Sequence, residues 1–172
     1  HVVGVFLPSK SRNEARVAPV IDSADRLGIR VFRPKRSGIA AALAALTPEL
    51  LVSYGYPYVL SEDALGIHRY AINIHPSLLP KYRGPNIEWH IIASGDTESG
   101  VTLHVMDQCV DTGPIVYQER IQLSPFETIR SYARKVEAVV PAALGKALER
   151  LRETGFVPTP QDEALASQFP DF

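Results

Sequence analysis

Asn73, His75 and Asp111 are the side chains whose types and spacing best suit chemistry. Asn73 and His75 stand two apart at the exit of an apolar run, Tyr70-Ala71-Ile72-Asn73-Ile74. In an extended segment such residues point to the same side. A histidine there offers a proton acceptor and donor near neutral pH. An asparagine offers an amide N–H that could stabilise an oxyanion. Asp111 begins Asp111-Thr112-Gly113, a polar stretch where the chain can bend, and a carboxylate close to His75 would favour its protonated form. Together they would make an acyl-transfer site whose nucleophile is an uncharged amine. Each also has an ordinary explanation. An asparagine near a strand end makes turn hydrogen bonds, a histidine beside proline packs structurally, and D-T-G is a common turn.

Other candidates carry less. His68, His75, His90 and His104 show no H-x-H pair and no helical i, i+4 pair, so no metal is expected. Cys109 adjoins no basic side chain and reads as a small buried filler rather than a nucleophile. Lys81 and Arg83 flank Tyr82 and could meet a phosphate or carboxylate. No G-x-G-x-x-G or P-loop pattern is present, which argues against a standard dinucleotide or nucleoside-triphosphate site.

The elements that must position these residues alternate in the first half. Val2 to Leu7 reads as a buried strand. Asn13 would cap a helix bearing Ala15, Val17, Ile21, Ala24 and Leu27, ended by Gly28. Arg30-Val31-Phe32 is a second strand, Gly38 to Leu46 an Ala-rich helix, Pro48 to Ser53 the run into a third strand, and Tyr70 to Ile74 a fourth. This rhythm predicts an α/β fold with a parallel sheet and right-handed crossovers. Ligands of such sheets sit beyond the carboxyl ends of the strands, which singles out Tyr54 to Leu60 and the chain after Ile74. His75 to Pro85 carries Pro76, Pro80 and Pro85 plus Gly84, and reads as an ordered loop anchored by Leu78, Leu79 and Tyr82. Ile87 to Ser94 suits a short helix. Gly100 to Met106 and Pro114 to Leu123 alternate as strands around the polar loop Asp107 to Gly113. Pro125 to about Arg152 is a long helix, with Pro141 as a kink, and the end from Gly155 reads as irregular.

The chain has 172 residues, 45% hydrophobic and 22% charged, which suits one globular domain rather than a disordered segment. Eighteen Lys+Arg against nineteen Asp+Glu argue against a basic face that wraps nucleic acid. No apolar run approaches the roughly 20 residues that cross a bilayer, so no membrane partner is expected. A single cysteine excludes an internal disulfide, and no signal-peptide pattern precedes the first strand. A cytoplasmic setting is the expectation.

The run Asn73-Ile74-His75-Pro76-Ser77-Leu78-Leu79-Pro80-Lys81-Tyr82-Arg83-Gly84 is more specific than those pieces. With Gly100-Val101-Thr102-Leu103-His104 and Asp111-Thr112-Gly113-Pro114-Ile115, it strongly resembles the formyltransferases that use 10-formyltetrahydrofolate. That family includes glycinamide ribonucleotide transformylase, methionyl-tRNA formyltransferase and the sugar-nucleotide N-formyltransferases. The resemblance runs from about Val2 to about Glu163. It implies a Rossmann-like, mostly parallel sheet flanked by helices, with a catalytic domain over residues 1–154 and an irregular tail over 155–172. It implies 10-formyltetrahydrofolate as co-substrate. Asn73 would stabilise the oxyanion, His75 would be the catalytic histidine and Asp111 would hold its charge. Tyr58, Val59 and Leu60 would receive the pterin ring, and the loop carrying Met106, Asp107 and Val110 would close over it.

Family members begin with one more strand and helix, a strand that normally lies mid-sheet. Residues upstream of His1 are therefore expected in the native protein, and without them the strands at Val2 and Tyr70 would expose edges. Lys81-Tyr82-Arg83-Gly84 resembles the tRNA and sugar branches more than the purine branch. The near-neutral charge leans toward a small amine acceptor such as an amino-sugar nucleotide, with methionyl-tRNA and glycinamide ribonucleotide next. A formyltetrahydrofolate hydrolase and an inactive folate-binding domain are the alternatives from other classes. The oligomeric state is not legible.

Overall fold

Apolar runs separated by helix-forming stretches build six strands and five helices in the computed structural model, which describes residues 1–10 and 14–169. The chain divides into two compact units, His1–Leu51 with Tyr56–Tyr70, and Val52–Gly55 with Ala71–Phe172.

The first unit holds β1 (Val5–Phe6), α1 (Glu14–Arg26), β2 (Val31–Phe32), α2 (Ile39–Ala44), the start of β3 (Leu50–Tyr54) and α3 (Glu62–Leu65). β1 and β2 pair in parallel, with Val5 opposite Val31 and Phe6 opposite Phe32. The Phe6 and Phe32 rings stack at 5.0 Å. A small core of Ile39, Leu43 and Ala64 gathers Phe6, Leu51, Tyr58 and Leu60 around it. The expected strand Val2–Leu7 shortens to two residues, and the expected helix cap at Asn13 lies outside the described residues. Gly28 (φ 64°) follows α1 in the left-handed region, as a helix C-terminus favours. The four-residue α3 was not legible in the sequence; Ser61 caps it by accepting from the Ala64 N–H.

The second unit carries the rest: β4 (Tyr70–His75), α4 (Ile87–Ser94), β5 (Glu98–Val105), β6 (Ile115–Gln122) and α5 (Ile129–Arg152). Its sheet runs β3-β4-β5-β6, and β4-β5 and β5-β6 are antiparallel. β4 is therefore interior, between β3 and β5, and the expectation of an exposed edge at Tyr70 does not hold. β5 is covered on both faces, with Val101 and Leu103 fully buried on one side and Thr102 and His104 on the other. α5 packs on β5 and β6 through Tyr132, Val136, Ala143 and Ala147 and continues through Pro141. It begins at Ile129 rather than Pro125. There Thr128 accepts from the Ser131 N–H while the Ser131 side chain accepts from the Thr128 N–H.

The proline-rich loop after β4 is pinned from several sides. Thr102 Oγ1 donates to Ser77 O at 2.6 Å and accepts from the Leu79 N–H at 3.1 Å. Tyr132 Oη donates to Pro76 O at 2.6 Å, and Gln118 Nε2 to Leu79 O at 2.8 Å. Leu79 and Tyr82 are buried. Residues 156–169 cross this loop as a strap instead of trailing away, with one short 3-10 turn at Glu163–Leu165.

Candidate active site

Antiparallel pairing of β4 with β5 places Asn73 directly opposite His104, and His75 opposite Thr102. Asn73 and His75, two apart on β4, face one side with His104. The β5–β6 register slips at Leu103/His104, where an irregularity re-aims the strand beside the site. The loop from Met106 to Pro114 then returns Asp111 to the same spot. Asp111 takes a left-handed backbone (φ 57°), which short polar side chains tolerate better than most.

The four groups converge within 3.4 Å contacts. Asp111 Oδ2 lies 3.4 Å from His75 Nδ1, and Oδ1 lies 3.4 Å from His104 Nε2. Asn73 Nδ2 is 3.4 Å from both Asp111 Oδ1 and His104 Nε2. The Gly84 N–H donates to Asp111 Oδ2 at 3.0 Å. His75, His104 and Asp111 side chains are only 6%, 3% and 10% exposed, so these contacts act in a largely desolvated setting.

Two backbone carbonyls set the histidine tautomers. His75 Nε2 faces Tyr82 O at 2.7 Å, and His104 Nδ1 faces Val105 O at 3.0 Å. A carbonyl oxygen only accepts, so each of those nitrogens carries hydrogen. His75 Nδ1 and His104 Nε2 are the remaining ring nitrogens, and both look toward Asp111. Burial pushes the His75 imidazole below its ordinary value; the Asp111 carboxylate and the Tyr82 carbonyl pull it up, and His104 adds a further downward push. The net direction is down, so burial outweighs the carboxylate that the sequence reading expected to dominate. Burial would raise Asp111, but His104, His75 and the Gly84 N–H together hold it below the usual carboxylate range.

The remaining sequence candidates fall in different places. Tyr58, Val59 and Leu60 belong to the first unit, where Tyr58 packs edge-on to Tyr56 at 5.6 Å and Val59 is exposed. Met106 donates its N–H to Ala71 O at 2.7 Å. Asp107 Oδ1 accepts from the Cys109 N–H and from Thr112 Oγ1, shaping the loop, and Val110 is exposed on it. Cys109 is exposed rather than a buried filler, because the Asp107 turn and not apolar packing holds this loop. Arg83 is buried against Gln161 and Glu163, so it is committed to the fold, while Lys81 is exposed and pairs loosely with Asp96 at 3.7 Å. His104 is the site residue that sequence reasoning did not place. The available signal was its position in the alternating run Gly100 to Met106, once that run is paired against Asn73.

Residues 6–148 match the family model described as formyl transferase. The chain belongs to the formyl transferase family. It is 40% identical over 145 residues to methionyl-tRNA formyltransferase of Anaeromyxobacter dehalogenans (strain 2CP-C), covering 81% of this chain and 46% of that protein. It is 37% identical over 174 residues to the methionyl-tRNA formyltransferase of Roseiflexus sp. (strain RS-1), covering 96% and 54%. The chain thus spans about half the length of these relatives. Among solved structures, phosphoribosylglycinamide formyltransferase from Bacillus halodurans superposes with a TM-score of 0.76 at 25% identity, over 90% of this chain and 82% of that one. HypX from Aquifex aeolicus in complex with tetrahydrofolic acid gives a TM-score of 0.76 at 22% identity, over 100% of this chain and 30% of that one, and shares the fold. The family's α/β formyltransferase fold is therefore the fold of this chain.

Proposed function

We propose that this chain carries the catalytic site for moving a formyl group from 10-formyltetrahydrofolate to a primary amine. The observation that supports it most is the meeting of Asn73, His75, His104 and Asp111 in one desolvated cluster. An amide donor, two imidazoles of fixed tautomer and one carboxylate form a donor set suited to acyl transfer, and 10-formyltetrahydrofolate fits it. When bound, that co-substrate supplies a formyl carbon held on nitrogen. Met106, Asp107 and Val110, on the β5–β6 loop of the second unit, are the residues proposed to hold its pterin there.

The side chains divide the work by their chemistry. Asn73 Nδ2 makes two long contacts at 3.4 Å, weak enough to yield to a shorter bond with an oxygen that gains negative charge. His75 is kept neutral by burial, so its Nδ1 takes a proton from the attacking amine. Protonation turns the Nδ1–Asp111 contact into an ion pair, and Asp111 then steadies the charge until the proton leaves for the departing nitrogen. His104 Nε2 flanks both the Asn73 amide and the Asp111 carboxylate at 3.4 Å and holds them side by side.

For the acceptor, we put methionyl-tRNA first. Relatives 37–40% identical carry that name rather than an amino-sugar one, which shifts the order expected from sequence. An amino-sugar nucleotide and glycinamide ribonucleotide follow. The test supplies the full chain with 10-formyltetrahydrofolate, alone and with each acceptor, and follows tetrahydrofolate release. Release that depends on an amine supports transfer and names the acceptor. Amine-independent release would make the protein a hydrolase, and no release with any acceptor would leave a folate-binding module and overturn the proposal.

A further inference from the structure

The strap of residues 156–169 is fastened at both ends. Near its start, Ile115 and Thr159 exchange backbone hydrogen bonds of 2.7 and 2.9 Å. Near its end, the Arg83 N–H donates to Ser167 O at 2.8 Å and the Ser167 N–H to Pro80 O at 3.1 Å. Phe169 stacks on His90 at 4.1 Å and on Tyr82 at 5.6 Å. Gln161 sits between these fastenings, beneath the turn that carries Asp111.

All the hydrogen-bonding capacity of the Gln161 amide has a place there. Its Nε2 donates to Asp111 O at 2.9 Å and to Gly113 O at 2.8 Å. Its Oε1 accepts from Arg83 Nε at 3.1 Å and Nη2 at 2.8 Å. Two carbonyls need donors and a guanidinium needs an acceptor, and a primary amide supplies both. Glu163 completes the Arg83 partnership with contacts of 2.7 and 2.9 Å, while the amide hydrogens that meet the Asp111 turn are those of Gln161. That turn holds a non-glycine residue in the left-handed region, a conformation that persists only when its surroundings fix it.

We propose that Gln161 is a positioning residue for Asp111, clamping the backbone of the 111–113 turn so that the carboxylate meets His75, His104 and the Gly84 N–H. The inference rests on the reading of Asp111 given above. Arg83 holds the other side of the Gln161 amide, and Glu163 pairs with Arg83 from outside that clamp. The groups facing His75 are Asp111, His104, Glu88 and the Tyr82 carbonyl, so its titration reports where the Asp111 carboxylate stands.

The test compares Gln161→Met, which removes every bond of the amide, with Glu163→Gln, which loosens only the Arg83 side. Two readouts are taken on the full chain: kcat and KM with 10-formyltetrahydrofolate and methionyl-tRNA, and the His75 ring titration by nitrogen NMR. Gln161→Met should lower kcat about tenfold or more with KM changed less than about threefold. It should also move the His75 midpoint down, since the upward pull of Asp111 is weakened. Glu163→Gln should do neither. If Gln161→Met unfolds the chain, Gln161→Glu keeps the Arg83 partner, faces the two carbonyls without hydrogens, and should show the same kcat loss. Equal losses in Gln161→Met and Glu163→Gln, or an unmoved His75 midpoint in the Gln161 variants, would overturn the proposal. A wild-type chain that transfers no formyl group would instead fail the functional reading, and the titration would still decide the positioning role.

Discussion

His75 and His104 each give one ring N–H to a backbone carbonyl, which leaves the other ring nitrogen of each facing Asp111. The carboxylate is thus the hub, and its loss should be felt by both rings and by the Gly84 N–H. Asp111→Asn keeps the shape and removes the charge. We expect kcat to fall by about 10²- to 10⁴-fold with an unchanged circular dichroism spectrum; turnover near wild type would remove Asp111 from the mechanism. His75→Ala should fall in the same range. The pH profile carries a sign as well. A base must be neutral to act, and His75 titrates below its ordinary value of 6.5, so activity should be full at neutral pH and decline only as pH drops below that value. Replacing Asp111 removes an upward pull, so the acid limb of any residual activity should move further down. A limb that moves up would contradict the burial-dominated reading.

The β5–β6 loop and the entry to α5 show elements positioned by close approach and by capping. Gly113 lies so near the Val105 carbonyl that a Cβ there would run into backbone, which cannot step aside as a side chain can. Gly113→Ala should cost about 1–3 kcal/mol in urea unfolding and displace Asp111, lowering activity as well. The α5 cap is a control. Thr128→Ala loses the bond to the Ser131 N–H, should cost about 1 kcal/mol, and should leave kcat unchanged. At this scale the sequence was readable where periodicity is strong. α4 falls on Ile87–Ser94 as expected, and β5 and β6 lie within two residues of their expected ends. It was unreadable where tertiary contacts set the structure. β1 shrinks to two residues, and the tail from Gly155 is ordered by bonds from Ile115, Pro80 and Arg83 that no local pattern announces.

Across the whole molecule, Asn73, His75 and Asp111 could be named from residue type and spacing, but their meeting required β4 to pair with β5 and a loop to fold back. His104 and Gln161 were silent for that reason: one acts through a cross-strand partner and the other across 50 residues of sequence. The same buried charges make global stability depend on pH in two separable steps. His75 binds protons less readily when folded, so its contribution is complete above about 6.5 and is lost as pH falls from there toward its lower folded value. Glu127 works through a different window. Burial would raise it, but Lys135, the Ser124 N–H and Ser131 bring it down to about 2 from an ordinary 4.5. A depressed carboxyl stabilises the fold above its unfolded value, and that stability disappears as pH falls from 4.5 toward 2. Urea midpoints measured from pH 8 to pH 2.5 should therefore hold level, decline below about 6.5, and decline again below 4.5. Glu127→Gln should make the second descent shallower, with the depressed Asp111 carboxylate supplying part of what remains, and leave the first in place. Because Glu127 lies in the β6–α5 connection and not among Asn73, His75, His104 and Asp111, the proposed formyl transfer should survive that change, whereas equal steepness in both proteins below pH 4.5 would show that the Lys135–Glu127 pair contributes nothing to the fold.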